Sequence, residues 1–200
     1  MNGVNKSGVK GRMLECLAFM TVVVMLAAML SGCDLSSFVN NSQKRIVSPS
    51  GTVASSEYKS VFEGTGIVHS VGVVGENTVS YAMSDSDGFI YCQDYAYSGD
   101  SVTEWEITDY IPIYGFTAES LKEMEKACDE DLSAYDGYDC VQASYSVGNK
   151  YITFRVKFTG IGKESTMKQM VEMGFLDDYD GYLSMEDCEK MDLQDGYIKK

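Results

Sequence analysis

The chain has 200 residues, with 16 basic against 30 acidic side chains and a single histidine. A formal charge of −14 makes nucleic acid and anionic headgroups poor partners, because the long-range field repels both. It leaves cations, basic peptides and positively charged wall polymers as the charge-matched classes, beside the plainer role of keeping a surface protein soluble.

The N-terminus carries a positive head, Lys6, Lys10 and Arg12, followed by the apolar run Leu17 to Leu30. That run is shorter than the roughly twenty residues needed to span a bilayer and has the proportions of a secretory h-region. It ends in Leu30-Ser31-Gly32-Cys33, which resembles the lipobox of bacterial lipoproteins. The resemblance implies a diacylglyceryl thioether on Cys33, cleavage before it and acylation of palmitate type. The partner would then be the membrane, held through the lipid: each buried methylene contributes about 0.8 kcal/mol, so two or three acyl chains hold firmly where one does not. The competing reading is an uncleaved anchor helix from Met13 to Leu30. Either places residues 34–200 on the extracytoplasmic face of the cell membrane.

Three segments follow from this: a lipoprotein signal peptide at 1–32, a lipidated Cys33 with a flexible serine-rich tether to residue 60, and one domain at 61–200. Removing the signal peptide takes away Lys6, Lys10, Arg12 and Glu15, so the exported part is still more acidic. Cys16 leaves with it. Cys92, Cys128, Cys140 and Cys188 remain, and in an oxidising space they could form two disulfides in any of three connectivities. Buried free thiols are the alternative.

Along the domain, "GIVHSVGVV" holds His69 on an expected strand or strand edge. Asn77–Met83, Phe89–Tyr97 and Val102–Ile111 read as a three-strand meander parted by Asp-Gly and Ser-Gly-Asp turn signals. Thr117 is placed to cap a helix reaching about Leu132, with Leu121, Met124, Cys128 and Leu132 on one face.

Residues 140–158 then read as a hairpin turning at Gly148-Asn149, which would pair Val147 with Lys150, Tyr145 with Ile152, Ala143 with Phe154 and Val141 with Val156. One face of it is apolar, and the other, with Gln142, Ser144, Arg155 and Lys157, is expected to be wet. A short helix at 165–174 turns Met167, Met170 and Val171 inward and ends at Gly174. Ser184 and Asp187 are spaced like the capping box of a last helix. The order β-β-β-α-β-β-α-α predicts an α+β fold, an antiparallel sheet of meander plus hairpin with helices packed on one face.

The lipobox, the segments "SVTEWEITDYIPIYGFTAESLKEMEK" and "VQASYSVGNKYITFRVKF", and the closing "LSMEDCEKMDLQ" together resemble the YehR-like bacterial lipoproteins, a group built on a domain of unknown function. The resemblance implies a small α+β lipoprotein domain and brings no catalytic residue with it.

The residues assemble no catalytic set. His69 would be the only base near neutral pH, and neither a Gly-x-Ser-x-Gly elbow nor a Cys-x-x-Cys pair occurs. "DDYDGYLSMEDCE" approaches a calcium loop: Gly181 at the sixth position puts Asp178 and Asp180 at the third and fifth. Leu176 then falls at the first and Asp187 at the twelfth, so both end ligands are wrong. Asp177, Asp178 and Asp180 stay as weak candidate cation ligands against an ordinary acidic turn. The expectation is a non-catalytic, cofactor-free domain binding an envelope protein, peptide or glycan. The alternatives are an envelope enzyme built on His69 with a cysteine or carboxylate, and a cation-responsive sensor.

Overall fold

A computed structural model describes residues 55–177 and 181–200. The signal peptide, the lipobox residues Leu30, Ser31, Gly32 and Cys33, and Asp178 and Asp180 lie outside them.

The meander forms as expected, to within a residue or so at each strand end: β1 (Asn77–Ser84), β2 (Ile90–Ser98) and β3 (Ser101–Pro112). The hairpin supplies β4 (Val141–Val147) and β5 (Tyr151–Thr159), and the C-terminus adds a short β6 (Ile198–Lys199). All pairings are antiparallel, in the order β4-β5-β3-β2-β1-β6. The hairpin therefore joins the meander through β5 beside β3, where Trp105 faces Phe158 and Ile107 faces Val156.

The hairpin register differs from the expected one by two residues. Val147 pairs with Ile152, Tyr145 with Phe154, Ala143 with Val156 and Val141 with Phe158. Residues 148–150 form the loop, closed by Gly148 N–H donating to Tyr151 O at 2.9 Å. Side chains alternate with a period of two, so a slip of two keeps every residue on its expected face.

One face of the sheet carries the larger core. The helices α2 (Ala118–Ser133), α3 (Glu164–Glu172) and α4 (Met185–Gln194) cover it. They bury Met124, Cys128, Met167, Met170, Met185 and Cys188 against Tyr95, Trp105, Ile111, Ile152 and Phe158. Thr117 Oγ1 accepts the Ser120 N–H at 3.1 Å and Ser184 Oγ the Asp187 N–H at 3.2 Å, so both expected caps are made. Gly174 takes φ +75°, which lets the chain reverse after α3 and return Phe175 N–H to Met170 O at 2.8 Å. Phe175 then packs 4.6 Å from Phe158, centroid to centroid.

The second face is not left wet. Helix α1 (Ser55–Val61) and the segment 62–76, a turn at 62–65 followed by extended chain, lie across it, so the domain begins before residue 61, and residues 55–60 belong to it and not to the tether. Tyr58 and Val61, three apart on α1, pack with Ala82, Ile90, Cys92 and Tyr110 in a second, smaller core. Among the described residues helices thus pack on both faces, α2, α3 and α4 on one and α1 on the other.

Candidate functional site

The segment 62–76 has no strand pairing, so His69 is not on a strand; alternation nevertheless turns Ile67, His69, Val71 and Val73 toward the sheet. Beneath it, β2 offers Asp94, β3 offers Glu104, Glu106 and Tyr110, and β5 offers Arg155 and Lys157, all on one face by the strand registers. The result is a layer of charge closed between sheet and segment.

His69 is the centre of this layer. Its Nε2 is 2.9 Å from Asp94 Oδ2 and its Nδ1 2.9 Å from the Tyr110 hydroxyl, with the imidazole 3% exposed and the carboxylate wholly buried. A carboxylate oxygen accepts and a ring N–H donates, so the contact is made when Nε2 carries a proton. Burial, with Cys92 next in effect, pushes the Tyr110 hydroxyl up to about 12, and this hydroxyl can donate to or accept from Nδ1. Phe62 stacks on the imidazole face at 5.9 Å and 8°.

Around His69, the segment is fastened by ion pairs and backbone bonds. Lys157 Nζ contacts Glu104 Oε2 at 2.9 Å and donates to Gly72 O at 2.9 Å, while Glu104 Oε2 accepts the Val74 N–H at 2.8 Å. Arg155 reaches Glu106 Oε1 at 3.5 Å and donates to Ser70 Oγ at 3.3 Å. Glu106 is 4% exposed and lies directly under Gly72, where a Cβ would collide with its carboxylate. Its pKa is raised, chiefly by burial, against the lowering pull of Arg155.

Chemically the arrangement orders a ring and engages both of its nitrogens. Both ring nitrogens are engaged and one ring face is covered by Phe62, which leaves His69 no open lone pair for a substrate. The thiols are not brought to it as a nucleophile pair. Cys92, Cys128, Cys140 and Cys188 are all buried and free, with Cys92 in the smaller core and the other three in the larger. Burial raises each of them, Cys128 to about 12. No disulfide joins them among the described residues, and Cys92 is on the sheet face opposite the other three.

Of the candidate cation ligands only Asp177 lies among the described residues. Asp177 is exposed, and no group of three His, Cys, Asp or Glu among the described residues is placed to hold a metal ion. A shallow depression bordered by Tyr97, Asp100, Met185, Glu186, Glu189 and Leu193 lies where the β2–β3 turn meets α4, and does not include His69. Among the described residues no helix is long and apolar enough to cross a membrane.

Sequence reasoning singled out His69 but missed Asp94, Tyr110, Glu106 and Phe62. Asp94 had a readable signal: it stands between Cys92 and Ala96 on an otherwise apolar strand face, where a carboxylate requires a partner.

Comparison with known proteins bears on the fold. The chain is similar to the NMR structure of the E. coli YehR protein, at 15% identity and a TM-score of 0.50, over 62% of this chain and 90% of that one. An NMR structure of a protein from Streptococcus pneumoniae TIGR4 aligns at 11% identity and a TM-score of 0.42, over 68% of this chain and 93% of that one. No protein family matches the chain, and neither does any curated protein. The architecture is YehR-like.

Proposed function

We propose that the protein is a lipid-anchored bacterial envelope protein of the YehR-like lipoprotein type, whose domain binds a partner at the extracytoplasmic face of the membrane and performs no chemical step. The observation that carries the reading is the order of signals in the chain. A basic head and a short apolar core run into Leu30-Ser31-Gly32-Cys33, and a serine-rich stretch leads from there to helix α1 at Ser55. The YehR-like architecture supports the family assignment. The double engagement of His69 supports a binding role over a catalytic one, since its nitrogens are committed to Asp94 and Tyr110.

The test is metabolic labelling of the full chain in a bacterial host with an alkyne analogue of palmitate. The wild-type chain should be labelled, shortened by the signal peptide and recovered with membranes. Cys33→Ala should be unlabelled and of precursor length. Labelling that persists in Cys33→Ala, or a wild-type chain that is never shortened, would replace the lipid anchor with an uncleaved helix.

A further inference from the structure

β4 is the last strand of the sheet, and two bonds flanking it fix the phase of its ladder. Thr159 N–H donates to Cys140 O and Gly148 N–H to Tyr151 O, each at 2.9 Å. Bonded and non-bonded pairs alternate in an antiparallel ladder, so Gln142, Ser144 and Ser146 direct their backbone groups at β5. Val141, Ala143, Tyr145 and Val147 consequently turn their N–H and C=O groups outward. Among the described residues no strand pairs with them from that side.

Edge strands usually carry lysine, proline or a bulge that discourages pairing. β4 reads VQASYSV, with none of these, and its register with β5 runs without a shift. The opposite margin is treated differently: β6 covers part of β1, and its Lys199 is tied to Glu189 at 2.8 Å.

The surroundings of the open edge are acidic. Asp139 stands just before β4, and on α2 Asp129 Oδ1 accepts the Tyr145 hydroxyl at 3.0 Å, with Glu125 near enough to act on the same phenol. The basic side chains of β5, Arg155 and Lys157, are occupied by Glu106 and Glu104 on the other face. Lys150 sits in the hairpin loop and Lys163 lies against Gly160 just past Thr159, so at the Val141–Tyr145 end the acidic Glu125, Asp129 and Asp139 outweigh one lysine. A second copy of this acidic chain would bring like charge to like.

We infer that the outer edge of β4 docks an extended, basic peptide segment by strand addition. Val141, Ala143, Tyr145 and Val147 supply the backbone pairing, and Glu125, Asp129 and Asp139 supply the charge complement. This names the partner class of the binding role proposed above and rests on that role, not on the lipid anchor.

The experiment uses the full chain in neutral detergent micelles and two capped peptides of strand length, one alternating Lys with Val and the other Glu with Val. Only the lysine peptide should bind, more weakly as salt rises, and it should protect the amides of Val141, Ala143, Tyr145 and Val147 from hydrogen exchange. Ala143→Pro removes one outward N–H without touching the bonds to β5, and should weaken binding about tenfold at an unchanged thermal midpoint. Equal binding of both peptides, undiminished binding by Ala143→Pro, or protection elsewhere would overturn the proposal. So would a dimer lost on Ala143→Pro, which would make a second copy the occupant. If Ala143→Pro fails to fold, the wild-type protection pattern decides alone. An unlabelled Cys33 with intact peptide binding would remove the anchor and leave the edge, and the converse result would do the opposite.

Discussion

His69 Nε2 stands 2.9 Å from Asp94 Oδ2, and this contact joins the segment before β1 to the middle of β2. Without the imidazole the carboxylate would be fully buried with no partner, since its other oxygen has no hydrogen bond among the described residues. The pair therefore pins the 62–76 segment to the sheet.

His69→Ala should destabilise the domain by about 3 kcal/mol, the usual cost of orphaning one member of a buried pair. Asp94→Ala should cost a similar amount, and the double variant clearly less than the sum of the two. Urea unfolding of the four chains measures it. Strict additivity would mean that the two residues do not act as a pair.

Stability should also fall as pH rises through neutrality. Asp192 is wholly buried on α4, and burial lifts its carboxyl to about 8 against the offset of the Tyr95 hydroxyl. Burial lifts Asp109 on β3 to about 7, although it keeps some contact with solvent, so its share should be smaller. Between the unfolded carboxyl range near 4 and these values the folded state holds protons that the unfolded state has lost. Each group then subtracts up to about 1.4 kcal/mol per pH unit as pH climbs, until its folded pKa is passed. Asp192→Asn, neutral at every pH, should flatten this slope and gain on the wild type above pH 8. Thermal midpoints from pH 5 to 9 check it, and a wild-type midpoint rising across that range would reverse the assignment.

The helix-covered face was legible in the sequence because its signals are local. Thr117, Ser184 and Gly174 mark helix ends by their own chemistry, and Met124 with Cys128 or Met167 with Met170 follow the helical period. The hairpin slip escaped because registers that differ by two give identical face patterns, and only the loop geometry at residues 148–150 separates them. The second face was misread for a different reason. Arg155 and Lys157 alternate with apolar residues as solvated side chains do, and their partners Glu104 and Glu106 belong to another strand. Nor does α1 announce itself: Tyr58 and Val61 are two apolar residues in a serine-rich stretch, and their burial depends on a surface assembled from β1, β2 and β3.

The four domain thiols should be inert until the fold opens. Cys92 and Cys188 are raised by burial beyond the range in which thiolate forms, and Cys128 to about 12. Reaction of Cys92, Cys128, Cys140 and Cys188 with an aromatic disulfide reagent should track unfolding, rising together across the urea transition. A reducing agent should leave the thermal midpoint where it is. A fall of many degrees on reduction would instead show a disulfide, whose loss typically costs about 2–5 kcal/mol.

Asp100, in the turn between β2 and β3, holds the start of α4. Its Oδ1 accepts the Glu186 N–H at 2.8 Å and its Oδ2 the Ser184 hydroxyl at 2.9 Å. It thereby satisfies a donor of the first helical turn that Ser184, occupied with Asp187, does not reach, and sets a negative charge at the positive end of the helix. Asp100→Ala should cost about 1–2 kcal/mol and speed amide exchange at Glu186 and Asp187 more than at Met191. Asp100→Asn, which keeps an acceptor but not the charge, should fall between. The backbone bonds of Met185 N–H to Asp100 O and Val102 N–H to Leu183 O remain in both variants, so α4 should loosen at its first turn without leaving the sheet. If exchange in the first turn is unchanged in Asp100→Ala, the side chain is not the clamp, and those two backbone bonds alone fix the helix.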